Sequence, residues 1–273
     1  MLKRSLIFWM AGLAFYSLGI MNPIFSESND FKNHLITMTI LYDNHPYDHR
    51  LKTAWGFSCV IEFEGKKILF DTGGDGRTLL ENMKILNKDP KTINTIILSH
   101  IHGDHTGGLG SLLREKSNVK IYIPGSFSQE FDRAAKVYGV TVVRVNAPSE
   151  IYPGFHSTGE MGHGIKEQSL LVDTAKGMVL ITGCAHPGIV EIIQQAKTIA
   201  RKDIYMAIGG WHLSSAGERE IKGIIEAFLK VGIQKVGPCH CTGDLAMAMF
   251  KDAYGKNFIQ AGVGKIIQIE GLM

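Results

Sequence analysis

Residue types that bind metals are crowded into one short segment of the sequence. Three histidines and one aspartate lie within six residues: His100, His102, Asp104 and His105. The apolar run TIILS precedes them and is typical of a buried strand, whereas Thr106-Gly-Gly follows as a turn. Imidazole and carboxylate groups at a strand end suit Zn²⁺, and also Mn²⁺ or Fe²⁺. A histidine-rich surface loop is the alternative interpretation, but the clustering favours a metal site.

The spacing favours two ions rather than one. His100 and His102 can project to one side of an extended loop. Asp104 and His105 then reach a second point as the chain turns. Two divalent ions are therefore expected, with zinc as the leading identity and manganese or iron as the alternatives.

Strand-like and helix-like segments alternate from about residue 35 onward. Runs such as LITMTILY and GMVLIT predict strands, and runs such as GIVEIIQQAKTIAR predict amphipathic helices. A long irregular segment is expected around residues 146–166. No internal linker or repeat interrupts the pattern, so residues 30–273 are predicted to form one layered α/β or α+β domain.

Composition limits the classes of partner. The chain has 273 residues, of which 45% are hydrophobic and 20% charged, with a formal net charge of +3. This length is enough for one large domain with a substantial hydrophobic core. No dense run of lysine and arginine is present, so a small-molecule substrate is expected and nucleic acid is not.

The N-terminal segment differs from the rest of the chain. Lys3 and Arg4 precede an uncharged run from Ser5 to Met21, and the polar stretch SESND follows. This order is typical of a secretory signal peptide over residues 1–26. An uncleaved anchor is the alternative, because about 17 apolar residues is near the minimum for spanning a bilayer. Either form predicts an exported protein, periplasmic or extracellular, whose only membrane contact would be this segment.

Several motifs resemble those of a known family. HIHGDHTGG, with FDTGG upstream at residues 70–74, resembles the signature of the metallo-β-lactamase superfamily. EQSLLVD, TGCAHPGIV, GGWHL and GPCHCTGD resemble a narrower branch, labelled 7,8-dihydropterin-6-methyl-4-(β-D-ribofuranosyl)aminobenzene-5'-phosphate synthase. The resemblance extends over nearly all of the chain after residue 35. It implies a four-layer αββα sandwich with two metal ions at one edge.

The resemblance also implies which residues bind the two ions. The first set is His100, His102 and His186, and the second is Asp104, His105 and His240. Asp71 matches an acidic residue that orients a ligand histidine from behind.

Three positions leave alternatives open. Many relatives place a bridging aspartate where this chain has Cys184, which is either a thiolate ligand or a buried packing residue. His163 is the alternative to His186 as the third ligand of the first ion. His186 is favoured by its place between a strand and a helix start. His212 is either a catalytic contact near the metals or a packing residue. Strand alternation predicts that Cys239 and Cys241 point away from the histidine between them, and no structural disulfide is expected.

The resulting hypothesis is a dinuclear metal-dependent hydrolase. Metal binding lowers the pKa of water from about 16 to near 7, so a metal-bound hydroxide would attack an ester, a phosphoester or a related small molecule. Asp104 would bind a metal and orient this nucleophile. The alternatives are a phosphoribosyl-type transferase of pterin biosynthesis and a metal-binding protein without turnover.

Overall fold

The computed structural model describes residues 35–271. The predicted signal peptide or anchor lies outside the described residues. Within the described part, none of the helices is both long and apolar enough to cross a bilayer.

The first of two sheets contains the strand that leads into the histidine-rich segment. Its strands are β1 (Leu35–Tyr42), β2 (Ser58–Phe63), β3 (Lys66–Phe70), β4 (Thr95–Ile97), β5 (Lys120–Pro124), β6 (Thr141–Val145) and β13 (Ile266–Glu270). They lie in the order β13-β1-β2-β3-β4-β5-β6. Strands β3 to β6 are parallel, and β2 and β3 form an antiparallel hairpin that turns at Gly65.

The second sheet is built from the later part of the chain. Its strands are β7 (Ser149–Tyr152), β8 (Phe155–Ser157), β9 (Leu170–Thr174), β10 (Gly177–Thr182), β11 (Ile204–Gly210) and β12 (Lys235–Cys239). They lie in the order β12-β11-β10-β9-β8-β7, and β10, β11 and β12 run parallel. The expectation of an irregular segment over residues 146–166 is wrong in part, because β7 and β8 extend this sheet there.

The helices connect these strands. They are α1 (Gly76–Ile85), α2 (Gly103–Thr106), α3 (Leu109–Glu115), α4 (Gln129–Lys136), α5 (Ile189–Ala200), α6 (Glu218–Val231) and α7 (Asp244–Tyr254). Short 3₁₀ turns add Pro90–Thr92, His240–Thr242 and Gly255–Asn257.

Three hydrophobic clusters define the layers. The central cluster joins the two sheets, with Phe70 from β3 and Ile208 from β11 among its buried members. A second cluster packs α5, α6 and α7 against the outer face of the second sheet. A third packs α1, α3 and α4 against the outer face of the first. The predicted four-layer αββα sandwich is therefore confirmed.

Candidate metal centre

The predicted ligands meet at the edge where parallel strands of both sheets end. Asp71 directly follows β3, and His100 follows β4 by three residues. From the second sheet, His186 follows β10, His212 follows β11 and His240 follows β12. Loops at such carboxyl ends are common locations of binding sites. The fold thus gathers residues that are more than a hundred positions apart in the sequence.

The residues of the predicted first set lie together. The ring of His100 has its centroid 4.7 Å from that of His102 and 4.8 Å from that of His186. The rings of His102 and His186 are 4.9 Å apart. His163, the competitor for the third position, is exposed and belongs to none of the ligand groups among the described residues.

The residues of the predicted second set also lie together. Asp104 Oδ2 is 3.2 Å from His240 Nε2 and 3.5 Å from His105 Nε2. Cys184 Sγ lies 3.2 Å from His105 Nε2. The ligand atoms of these four residues all fall within 4.8 Å of one another.

Two nitrogens in the cluster fit a bound cation. The Nε2 atoms of His186 and His240 are buried and make no hydrogen bond of good geometry, although Asp104 Oδ2 lies 3.2 Å from His240 Nε2. Buried polar atoms in proteins normally have a hydrogen-bond or metal partner, so these two nitrogens indicate that the site is built to hold a cation. Burial lowers the pKa of His186 to about 4 and also lowers that of His100. Neutral imidazoles have a lone pair available for a metal ion.

Hydrogen bonds behind the cluster orient two of the histidines. Asp71 Oδ2 accepts a hydrogen bond from His105 Nδ1 at 2.7 Å and one from Ser99 Oγ at 2.7 Å. The same Ser99 hydroxyl lies 2.8 Å from His100 Nδ1. With the Nδ1 atoms engaged, the Nε2 atoms of both rings are left for the centre. The predicted contact between Asp71 and a site histidine is therefore present, and Ser99 extends it to a second.

Asn44 supports His240 in the same way. Its Oδ1 lies 3.0 Å from His240 Nδ1, and its side-chain amide donates to the His240 carbonyl oxygen at 3.2 Å. The sequence motifs do not indicate Asn44 or Ser99, because the contacts depend on where β1 and β4 end.

A buried carboxylate holds the loop that carries Cys184 and His186. Glu167 Oε1 accepts hydrogen bonds from the backbone N–H groups of Gly183, Cys184 and Ala185 at 3.2, 2.9 and 2.9 Å. Its Oε2 accepts one from the N–H of His186 at 2.9 Å. Burial raises the pKa of Glu167, and these N–H groups partly offset that effect. Glu167 lies in the EQSLLVD motif, but the sequence alone does not indicate its role in holding this loop.

Two opposing effects act on the pKa of the Asp104 carboxyl group. Burial raises its pKa, but contact with His240 and the charge of His105 outweigh burial and bring the pKa well below the usual range. Asp104 is therefore ionised at neutral pH, as a cation ligand requires.

The backbone around the centre is under local strain. Four non-glycine residues of the site have positive φ angles: Asp71, Ala185, His212 and His240, at 55°, 58°, 51° and 49°. Such angles cost energy and cluster at functional sites. Glycine at position 56 allows the backbone there to lie close to the backbone of Asp104, because a Cβ at this position would lie 2.3 Å from the carbonyl oxygen of Asp104.

The prediction for Cys241 is wrong. The strand ends at Cys239, and the following 3₁₀ turn with its left-handed His240 breaks the alternation of side chains. Cys239 packs in the central hydrophobic cluster, whereas Cys241 faces the site and forms a ligand group with Cys184 and His212. All four cysteines are free thiols.

His212 lies at the open side of the centre. Its side chain is exposed, and its ring centroid is 4.4 Å from that of His186. Its backbone N–H donates to Cys241 Sγ at 3.3 Å, and a side-chain hydrogen bond with Cys241 raises the pKa of the imidazole. The adjacent Trp211 is instead a core residue, packed against Phe228 and Phe250.

Comparison with known proteins identifies the family. A family model described as the metallo-beta-lactamase superfamily matches residues 56–193, which is half of the chain and includes the histidine-rich segment. The chain belongs to this superfamily. The matched residues include strands β2 to β10 and therefore the histidine-rich loop and His186.

Individual relatives of this superfamily member differ in their named activities. A Methanocaldococcus jannaschii protein named 7,8-dihydropterin-6-methyl-4-(beta-D-ribofuranosyl)-aminobenzene-5'-phosphate synthase is 30% identical over 279 residues, covering 84% of this chain and 95% of the relative. A solved structure described as a metal-dependent hydrolase of the beta-lactamase superfamily is 27% identical, with a TM-score of 0.73 and coverage of 86% and 99%. The Bacillus subtilis metallo-beta-lactamase fold protein YhfI is 12% identical, with a TM-score of 0.66 and coverage of 85% and 99%, which is a likeness of fold alone.

Proposed function

We propose that this protein is a dinuclear metal-dependent hydrolase acting on an ester, a phosphoester or a related small molecule. The observation that carries the proposal is the pair of ligand sets at one sheet edge, in which two buried histidine nitrogens lack a hydrogen-bond partner. His100, His102 and His186 would hold one ion, and Asp104, His105 and His240 the other. When bound, divalent ions acidify water to give a nucleophile at neutral pH and polarise the substrate oxygen.

Asp104 has two tasks in this proposal. Its ionised carboxylate binds the second ion, and it lies at the end of the centre that is open to substrate, with its side chain 20% exposed. A free carboxylate lone pair can also accept a hydrogen bond from the attacking water and orient it. No serine or cysteine nucleophile is needed.

His212 is proposed to transfer a proton at the open side. It is exposed while its ring packs against His186, so it can reach a substrate group that lies over the centre. An imidazole in that position can donate a proton to the leaving oxygen and recover one from water.

A second candidate is a phosphoribosyl-type transferase. The similarity to the named synthase of Methanocaldococcus jannaschii favours it. The metal centre is compatible with both reactions, because a divalent ion can also bind the phosphate groups of a phosphoribosyl donor. A metal-binding protein without turnover is the third candidate.

One experiment separates these candidates. The purified full chain is analysed for metal content and then assayed with phosphodiesters, lactones, thioesters, β-lactams and a structured RNA, and for synthase activity with a phosphoribosyl donor. We expect two ions per chain and hydrolysis of one small-molecule class, lost with a chelator and restored by one metal. Metal-dependent synthesis without hydrolysis would support the transferase. Two bound ions without any turnover would support a metal-binding protein that is not an enzyme.

A further inference from the structure

We propose that Cys184 and Cys241 form an oxidation site, at which hydrogen peroxide joins their sulfur atoms in a disulfide that weakens metal binding at the centre. The two Sγ atoms lie within 4.8 Å of each other, and Cys241 Sγ donates to the Cys184 carbonyl oxygen at 3.8 Å. A disulfide bond is about 2.0 Å long, so a small movement of the two side chains brings the thiols together. The effect on metal binding rests on the proposed dinuclear centre, whereas the disulfide itself does not.

A glycine between the two loops allows this close approach. The backbone N–H of Gly210 donates to the carbonyl oxygen of Gly183 at 3.1 Å, which ties the end of β11 to the loop that carries Cys184. A Cβ at position 210 would lie 2.3 Å from that carbonyl oxygen and 2.8 Å from Cys241 Sγ. Any side chain at this position would therefore separate the loops and displace the sulfur of Cys241.

Hydrogen bonds hold the backbone of both cysteines in place. The buried Glu167 carboxylate accepts the N–H of Cys184 and those of the residues on either side of it. In the 3₁₀ turn that carries Cys241, Thr242 Oγ1 accepts the backbone N–H of Trp211 at 3.1 Å. Thiols that are already fixed next to each other lose little conformational entropy when they join.

A small oxidant reaches the pair from the open side of the centre. Each cysteine is 3% exposed, but Cys241 Sγ accepts the backbone N–H of His212, whose side chain is exposed. One sulfur attacks hydrogen peroxide, the oxygen–oxygen bond breaks, and a sulfenic acid and one water form. The second thiol then attacks the oxidised sulfur and releases another water. Two thiols and one peroxide thus give one disulfide and two waters.

The disulfide would disturb the proposed centre through His105. Cys184 Sγ lies 3.2 Å from His105 Nε2, the nitrogen expected to face the second ion. Cys241 belongs to none of the ligand groups that include His105 among the described residues. A bond to Cys241 therefore draws the Cys184 sulfur away from this nitrogen, and the imidazole loses a neighbour that fixes its position.

Peptide mapping of the full chain, reduced and then treated with hydrogen peroxide, tests the disulfide. Free thiols are alkylated in denaturant, and the chain is cut after lysine and arginine. We expect peptides 177–197 and 236–251 to be joined with the loss of two hydrogens, and a thiol reductant to separate them. Cys184→Ser and Cys241→Ser should each abolish the joined product. Cys239→Ser is the matched control and should keep it, because Cys239 lies in the same peptide as Cys241 but packs in the central hydrophobic cluster.

Metal affinity of the same samples, from competition with a chromogenic chelator, tests the consequence. We expect oxidation to lower the affinity about 10- to 100-fold, the usual effect of disturbing a group that supports a metal ligand. A reductant should restore it, and peroxide should leave the affinity of Cys241→Ser unchanged. Circular dichroism of each sample checks that the fold is retained.

The contrary outcomes are distinct. Separate peptides after oxidation of the unmodified protein would overturn the oxidation site. Joined peptides with unchanged metal affinity, or an equal loss of affinity in Cys241→Ser, would overturn the effect of the disulfide on the centre. A reduced protein that binds no metal would overturn the dinuclear centre and that effect together, while the peptide map still decides whether the disulfide forms.

Discussion

Asp71 Oδ2 lies 2.7 Å from His105 Nδ1, and both side chains are fully buried. Burial lowers the pKa of His105, but the charge of Asp71 and their hydrogen bond outweigh that effect and raise it. The same carboxylate accepts hydrogen bonds from the backbone and side chain of Ser99, which in turn contacts His100. One aspartate therefore orients one histidine from each proposed metal set.

Replacing Asp71 by Asn should weaken metal binding at both positions. The amide has one acceptor oxygen in place of the two carboxylate oxygens, so either His105 or Ser99 loses a full partner. We expect affinity to fall about 10- to 100-fold, the usual effect of losing such a supporting group. Competition with a chromogenic chelator measures it. The exposed Glu150→Gln variant is the charge-matched control, and equal affinities in the two variants would contradict the role of Asp71.

Asp104→Asn should reduce turnover far more than stability. The substitution keeps shape and volume but removes the negative charge that faces His240 and the proposed second ion. We expect a loss of about two or more powers of ten in kcat, similar to the loss of one preorganised electrostatic group. Melting temperature should fall only as far as metal loss explains. Kinetics, metal content and melting curves of the same preparation are the measurements, and full turnover would rule out the proposed role of Asp104.

His186→Ala and His163→Ala form a matched pair. The ring of His186 lies among those of His100, His102 and His212, whereas His163 is exposed and outside every ligand group of the described residues. We expect His186→Ala to lose most of the ion at the first position and His163→Ala to retain two ions. Metal analysis after dialysis decides this. The reverse result would make the loop before EQSLLVD the source of the third ligand.

Acid should destabilise the metal-free protein through His186. Its pKa in the folded chain is about 4, below the ordinary value of 6.5, so the unfolded chain binds a proton that the folded chain does not. Stability should therefore fall as the pH decreases from about 6.5 to about 4. Metal-free His186→Gln should show a shallower decrease over this interval in urea unfolding. Identical slopes for the two proteins would contradict the depressed pKa.

The N-terminal segment predicts export. The positive start and the uncharged run after it are expected to direct the chain out of the cytoplasm, with the mature protein beginning between residues 20 and 30. Fractionation of an exporting host and N-terminal sequencing test this. A chain in the cytoplasm with Met1 intact would contradict it, and Lys3→Glu with Arg4→Glu should reduce export if the signal operates.

Local sequence determined the parts of the molecule that depend on neighbouring residues. The spacing of His100, His102, Asp104 and His105 indicated their common loop, because their backbone separation limits how far apart they can lie. Periodicity likewise located most strands and helices, since a strand or helix with one buried face repeats its apolar residues at a regular interval. The family motifs extended this to His186 and His240, which no spacing rule could have linked to the loop.

Tertiary structure decided which distant groups face one another. Cys241 faces the centre because the chain leaves β12 through a left-handed turn, and strand alternation no longer applies after that point. Glu167 holds the loop at residues 183–186, and Asn44 reaches His240 from 196 residues away. Such contacts depend on where each strand ends and how the two sheets stack, and the packing of the whole domain sets both.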